Sequence, residues 1–183
     1  MVVLSDIFCE AALLDGFDVA KAEVHGMAQR GGSIVAYARL GEKVEAPLIE
    51  RGRADVILGF ETLETARVLP MLKANGTVIV NTKYIPPNIA FTSTSKPLTP
   101  EQLLSMIKAK ARSVHEVDGV GIATKLGNVL VVNTVLLGAL SALPENPVKP
   151  DSYKKAVAAR LKEKYADLNL KAFQLGRESV TFR

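Results

Sequence analysis

Tryptophan is absent, and the sequence has one cysteine, two histidines and an aromatic content of only 5%. Each scarcity excludes something. A single thiol cannot close an internal disulfide, and Cys9 alone cannot hold an iron–sulfur cluster, which takes about four sulfur ligands. With so few rings, the core has to be built from Val, Ile, Leu and Ala. Nucleic-acid binding calls for a basic patch with interleaved aromatics. Nine Lys and Arg follow residue 148 without such interleaving, so they read as a solvated face. The N-terminus lacks a basic stretch and an A-x-A-like cleavage site, which argues against a secretory signal. The most apolar window, Gly119 to Leu143, contains Lys125, Asn128 and Asn133; it reads as a buried helix rather than a bilayer span. The expected location is the cytoplasm, with no membrane and no nucleic-acid partner.

What is present suits a globular domain. Of 183 residues, 48% are hydrophobic and 23% charged, with a net charge of +4, enough to bury a sizeable core. Residues 3 to 15 carry Leu4, Ile7, Phe8, Ala11 and Leu14 at helical spacing, stopped by Gly16. Phe17 to Val24 and Ser33 to Leu40 read as strands. ADVILG at 54–59 and TVIVN at 77–81 are short continuous apolar runs, the mark of strands covered on both faces. Between them Glu61 to Lys73 reads as a helix, kinked at Pro70 and ended at Asn75-Gly76. Thr99-Pro100, with Gln102 three residues after the threonine, signs another helix start. Val114 to Val117 is a further strand, and Gly119 to Leu143 is helical, broken at Gly127. After a proline-rich link, Asp151 to about Tyr165 reads as a last helix, with Val157, Leu161 and Leu168 on one face. Strands alternating with helices predict an α/β fold: a doubly wound, mainly parallel sheet flanked by helices. Residues 1–150 are expected to form this domain. Residues 151–183 are expected to form a helical tail on it or on a partner.

HGMAQRGGS, residues 25 to 33, is the stretch with the clearest chemistry. Two adjacent glycines let backbone N–H groups approach an anion. Arg30 adds a forked donor suited to phosphate or carboxylate. From the tripeptide alone, a tight turn with an exposed arginine is the simpler account. His25 has an imidazole able to move a proton near neutral pH, or it is a loop residue bonded to backbone. Asn128 and Asn133 interrupt an apolar helix and need partners; Asn128 suits a helix start and Asn133 a cleft. Glu61 stands either at a strand-end ligand site or as a charge stabilising its helix. Gly119 and Gly121 form a G-x-G too short to mark a phosphate site. Cys9 reads as a buried small hydrophobe and His115 as structural.

AEVHGMAQRGGSIVAYARLG, followed by ADVILGFETLETARVLP, GTVIVNT, GNVLVVNTVLLGAL and NLKAFQLG, resembles the gamma subunits and domains of 2-oxoacid:ferredoxin oxidoreductases. HGMAQRGG favours the indolepyruvate branch. The resemblance implies a subunit of an enzyme complex that decarboxylates a 2-oxoacid with thiamine diphosphate and magnesium. It passes electrons through iron–sulfur clusters to ferredoxin and forms an acyl-CoA. The family's opening strand and glycine-rich turn have no counterpart in this sequence. Nor does it carry a thiamine-diphosphate signature, so cofactors, clusters and catalytic residues are expected on a large partner subunit, with no metal and no catalytic residue here. Arg30, Gly31 and Gly32, with His25, Gln29 and Asn133 nearby, are the expected contacts to coenzyme A or thiamine diphosphate. The alternatives are the gamma subunit of a pyruvate, 2-oxoglutarate or 2-oxoisovalerate enzyme, a free-standing coenzyme A- or nucleotide-binding regulatory module, and a purely architectural subunit.

Overall fold

The computed structural model describes residues 1–26, 33–86 and 97–181. Its first elements are helix α1 (Val2–Leu14) and strands β1 (Asp18–His25), β2 (Ile34–Gly41) and β3 (Ala54–Gly59). Helix α2 (Thr62–Val68), strand β4 (Leu72–Asn81), helix α3 (Pro100–Lys110) and strand β5 (Ser113–Val117) follow. The C-terminal part is helical: α4 (Gly119–Lys125), α5 (Val132–Ala142), α6 (Pro150–Arg160) and α7 (Ala166–Glu178). The chain divides into two units, Glu50–Asp118 and the two flanking segments Met1–Ile49 with Gly119–Arg183.

In the Glu50–Asp118 unit the apolar runs are neighbouring strands. β3, β4 and β5 form a parallel sheet in sequence order, each strand reached through one helix. Ile57, Val78 and Val80 meet Leu69 and Ile107 in a core with no aromatic ring, and Leu104, Val68 and Val114 pack against it. Burying each such aliphatic side chain contributes about 1.5–3 kcal/mol. The signed helix start is present in full: Thr99 Oγ accepts the Gln102 N–H while Gln102 accepts the Thr99 N–H. The helix expected to run to Lys73 ends earlier. A 3₁₀ turn over Leu69–Met71 contains Pro70, and the chain is already extended at Leu72. Proline removes a helical N–H and crowds the preceding turn, so Asn75-Gly76 lies within β4 and ends no helix.

The other unit begins with α1, stopped by Gly16 at φ +86°. The two strands that follow do not extend the parallel sheet. Among the described residues they pair only with each other, antiparallel, from Asp18↔Gly41 to His25↔Ile34. The apolar window after Gly119 is helix α4, a break at Gly127 with φ +81°, a 3₁₀ turn over Val129–Val131, and α5. The last helix is two. α6 ends at Arg160, so Val157, which is buried, shares no single helix face with Leu161 and Leu168. α7 crosses α5 with almost no separation: a Cβ on Gly138 would lie 2.0 Å from the Phe173 carbonyl oxygen, and one on Gly176 1.9 Å from that of Val135. Tyr153 stands between Phe8 and Phe173, with ring centroids 6.3 and 6.0 Å away. Burial pushes its phenol well up, and the hydroxyl takes a hydrogen bond from Asn146.

Candidate functional site

The HGMAQRGGS stretch joins β1 to β2. The ladder continues one step past His25, where the Gly26 N–H donates to Ser33 O at 2.8 Å. Gln29, Arg30, Gly31 and Gly32 lie outside the described residues, so the structure places the base of this loop and His25 on it.

A strand turns alternate side chains to the same face, and on β1 that face carries Lys21, Glu23 and His25. Their partners on β2 are Ala38, Ala36 and Ile34, none of them charged. Partners come instead from α1 and from one another, and α6 adds a further charge to the α1 carboxylates. Lys21 Nζ donates to Asp6 and, at 2.7 Å, to Glu23. Arg160 reaches Asp6 at 2.8 Å and Glu10 at 3.1 Å. His25 Nε2 lies 3.1 Å from the second Glu23 oxygen, and Ser5 Oγ approaches the first at 3.5 Å. These bonds set the protonation states. Hydrogen bonds from Lys21, then from His25, hold the Glu23 carboxyl below its usual range. Hydrogen bonds to Asp6 and Glu23 raise the Lys21 ammonium. The Glu23 side chain is 17% exposed and that of His25 55%, so the carboxylate is sheltered while the imidazole stays accessible.

Asn133, at the start of α5, has both ends of its amide engaged. Oδ1 accepts from the Met1 ammonium at 3.1 Å, and Nδ2 donates to Leu130 O at 3.3 Å. The start of α1 therefore touches one expected residue directly and the partner of the other: Met1 binds Asn133, and Ser5 approaches the Glu23 carboxylate that lies beside His25. Beside this network a cavity of about 270 Å³ opens among Asp6, Cys9, Glu10, Leu13, Val19, Lys21 and Arg160. Cys9 is half-buried rather than buried, and burial pushes its thiol up, away from a reactive thiolate.

The remaining polar candidates act within the fold. Glu61 caps α2, accepting from the N–H groups of Leu63 at 3.0 Å and Glu64 at 2.8 Å, and it also takes the Ile85 N–H at 3.0 Å. Asn128 takes the Leu130 N–H at 3.0 Å, as expected of a helix start. Gly119 and Gly121 lie in the first turn of α4. His115 is buried, with Ser113 Oγ 3.1 Å from its Nε2. Among the described residues no cluster of three His, Cys, Asp or Glu is placed to hold a metal ion. Sequence reasoning passed over Lys21, Glu23, Asp6 and Arg160. The trace for the first two was there: in K-A-E-V-H the charged residues alternate, as one face of a strand requires. Asp6 and Arg160 left none, since 154 positions separate them.

Comparison with known proteins gives a consistent result. Over 177 residues the chain is 38% identical to the indolepyruvate oxidoreductase subunit IorB of Methanothermobacter thermautotrophicus, covering 96% of this chain and 89% of that protein. Identity to the same-named subunit of Archaeoglobus fulgidus is also 38%, over 94% and 85%. Against the pyruvate/ketoisovalerate oxidoreductases common subunit gamma of Pyrococcus abyssi it falls to 28%, over 93% and 85%. The crystal structure of pyruvate oxidoreductase subunit PORC from Thermotoga maritima shares the fold, with a TM-score of 0.69 and 22% identity over 97% of this chain and 88% of that one. Among the described residues no helix is long and apolar enough to cross a membrane. Residues 1–179 match the family model described as pyruvate ferredoxin/flavodoxin oxidoreductase, and the chain belongs to that family.

Proposed function

We propose that this chain is the small subunit of an indolepyruvate-type 2-oxoacid:ferredoxin oxidoreductase in the cytoplasm, inert without a large catalytic subunit. The observation that carries the reading is the contrast in identity: 38% to an indolepyruvate subunit and 28% to a pyruvate/ketoisovalerate gamma subunit, over nearly the same span. The partner holds thiamine diphosphate, magnesium and iron–sulfur clusters, which supply decarboxylation and electron transfer to ferredoxin. This chain contributes an anion-binding loop. Arg30, with the N–H groups of Gly31 and Gly32, grips a phosphate of coenzyme A or thiamine diphosphate, and His25, Gln29 and Asn133 lie near it. What supports this role is the chemistry of the loop sequence and the accessible His25 at its base.

The test is to purify the chain with its large subunit and assay ferredoxin reduction with indolepyruvate, pyruvate, 2-oxoglutarate and 2-oxoisovalerate. Highest kcat/KM with indolepyruvate is expected, with no turnover by the chain alone. Turnover by the isolated chain, or a preference for pyruvate, would overturn the reading. Arg30→Ala should raise the KM for coenzyme A or the Kd for thiamine diphosphate about tenfold, the loss of one charge-assisted hydrogen bond. Unchanged values for both would remove the loop from the site.

A further inference from the structure

The β1–β2 ribbon is short of cover. None of the residues of β1 or β2 is buried, whereas β4 buries most of its length, and a two-stranded ribbon needs a helix or further strands to be stable. Helix α1 supplies cover over β1, where Asp6 meets Lys21 and Ser5 approaches Glu23. The outer edge of β2 is different. Because the Gly26 N–H donates to Ser33 O, the N–H groups of Val35, Tyr37 and Arg39 turn toward β1, and those of Ile34, Ala36, Ala38 and Leu40 turn outward. Among the described residues no strand pairs with that outward row. Nor does β2 carry the usual protection of an edge: IVAYARL has no lysine, no proline and no bulge against β1.

We propose that this edge pairs with the same edge of a second copy, antiparallel, about a twofold axis at Tyr37. The strand is matched to itself in that register. Ile34 opposes Leu40 of the second copy and Ala36 opposes its Ala38, large against large and small against small. Those are the hydrogen-bonded pairs, so the outward amides of both copies are used, and Tyr37 meets its own copy in a non-hydrogen-bonded pair. Arg39, the one charge on β2, is bonded to Ala46 O at 2.9 Å. It opposes Val35 of the second copy, which avoids the cost of like charges set opposite one another. Charge is complementary across the four strands that result: each inner row begins with Lys21 and ends with Glu23 of the second copy, through Ala38 and Ala36. The edge of β1 is unsuited to the same union. Helix axes pack about 8–10 Å apart, while paired strands lie about 4.8 Å apart, so joining β1 to β1 would force the two α1 helices into each other. Joined through β2, the helices stand about three strand spacings apart.

Light scattering of the whole chain alone should give twice the 19.7 kDa of one copy. A dissociation constant of roughly 10–100 µM suits a contact at the small end of interfaces. Ala36→Pro removes one outward N–H and no bond of the β1 ladder, as proline on an edge allows. It should weaken the dimer at least about tenfold, with unchanged circular dichroism. A second measurement does not depend on that variant folding. In a Cys9→Ser background, Tyr37→Cys should cross-link to its own copy under mild oxidation, because opposed Cα atoms in such a pair lie about 4.5 Å apart. Val35→Cys, on the same face but opposite Arg39, should not. A chain that stays monomeric well above that concentration range, an Ala36→Pro variant that folds and dimerises as well as the wild type, or equal cross-linking at both positions would overturn the proposal. So would a monomeric chain whose Ala36 and Ala38 amides gain exchange protection only when the large subunit is added, which would give the edge to that partner.

Discussion

Between Glu50 and Asp118 each strand follows the last through one helix, whereas the flanking unit ties together residues more than 130 positions apart. Asp15, closing α1, accepts the Lys149 N–H and the Ser152 hydroxyl at 2.6 Å each, pinning the start of α6 across 134 and 137 positions. Arg160 returns to Asp6 and Glu10, and α5 meets α7 through paired glycines. The first unit is an aliphatic core under local βαβ connections. The second joins its two segments through aromatic rings, ion pairs and hydrogen bonds, and it adds close helix contact within the C-terminal segment. Local order leaves its trace in neighbouring residues; closure between distant segments does not.

The comparison can be broken at its tightest points. Gly138→Ala should have the largest effect, about 3 kcal/mol or more, because the new Cβ meets a backbone carbonyl that cannot turn aside. Denaturant melts should show the loss, with hydrogen exchange rising in α5 and α7 before β4. Equal loosening of both units would contradict separate means of support. Gly59→Ala is the counterpart in the contiguous unit. Its Cβ would lie 1.7 Å from Thr65 Oγ1, a side-chain atom, so a cost of about 2 kcal/mol is expected. Adding Thr65→Ala should recover part of it in a double-mutant cycle, a rescue that Gly138 does not offer.

Smaller effects sharpen the contrast. Glu61→Ala removes one carboxylate that holds three N–H groups and should cost about 1–2 kcal/mol in thermal melts, with Glu61→Gln milder. At Asp15 burial pushes the carboxyl up, but the Ser152 and Lys149 hydrogen bonds, with the charges of Lys149 and Lys155, more than offset this and leave it lowered. A carboxyl lowered on folding adds stability above its unfolded value and loses it as pH falls through the folded one. Stability of the wild type should therefore drop below about pH 4, and Asp15→Asn should lose about 1 kcal/mol at pH 7 and show a shallower acid limb. The same slope in both proteins would show that this tie contributes nothing.

Much of the fold was legible because its signals are short-range. The Thr99 capping box, Gly16 and Gly127 as helix breaks, and the apolar strands ADVILG and TVIVN each occupy a few adjacent residues. The misreadings are physical too. LKANG continues a helical pattern, and only the Pro70 turn converts it to strand; residues 151–168 read as one helix because the break after Arg160 carries no glycine or proline. The candidate site divides in the same way. Arg30, Gly31, Gly32 and Gln29 came from loop chemistry and still rest on it, lying outside the described residues. The dyad of Glu23 and His25 came from the structure, although its alternation is written on β1.

By itself the sequence determined most of the element types, the aliphatic composition of the core, the absence of any thiol set for a cluster, and the family. Periodicity, capping and motif identity are properties of neighbouring residues. Only the tertiary structure decided that the two hairpin strands leave the parallel sheet, that α1 closes on α6 and α5 on α7, and that His25 is held through Glu23, Lys21 and Asp6. Those outcomes depend on which distant surfaces meet, and the free energy of that meeting belongs to the pair of surfaces, never to either stretch of chain alone.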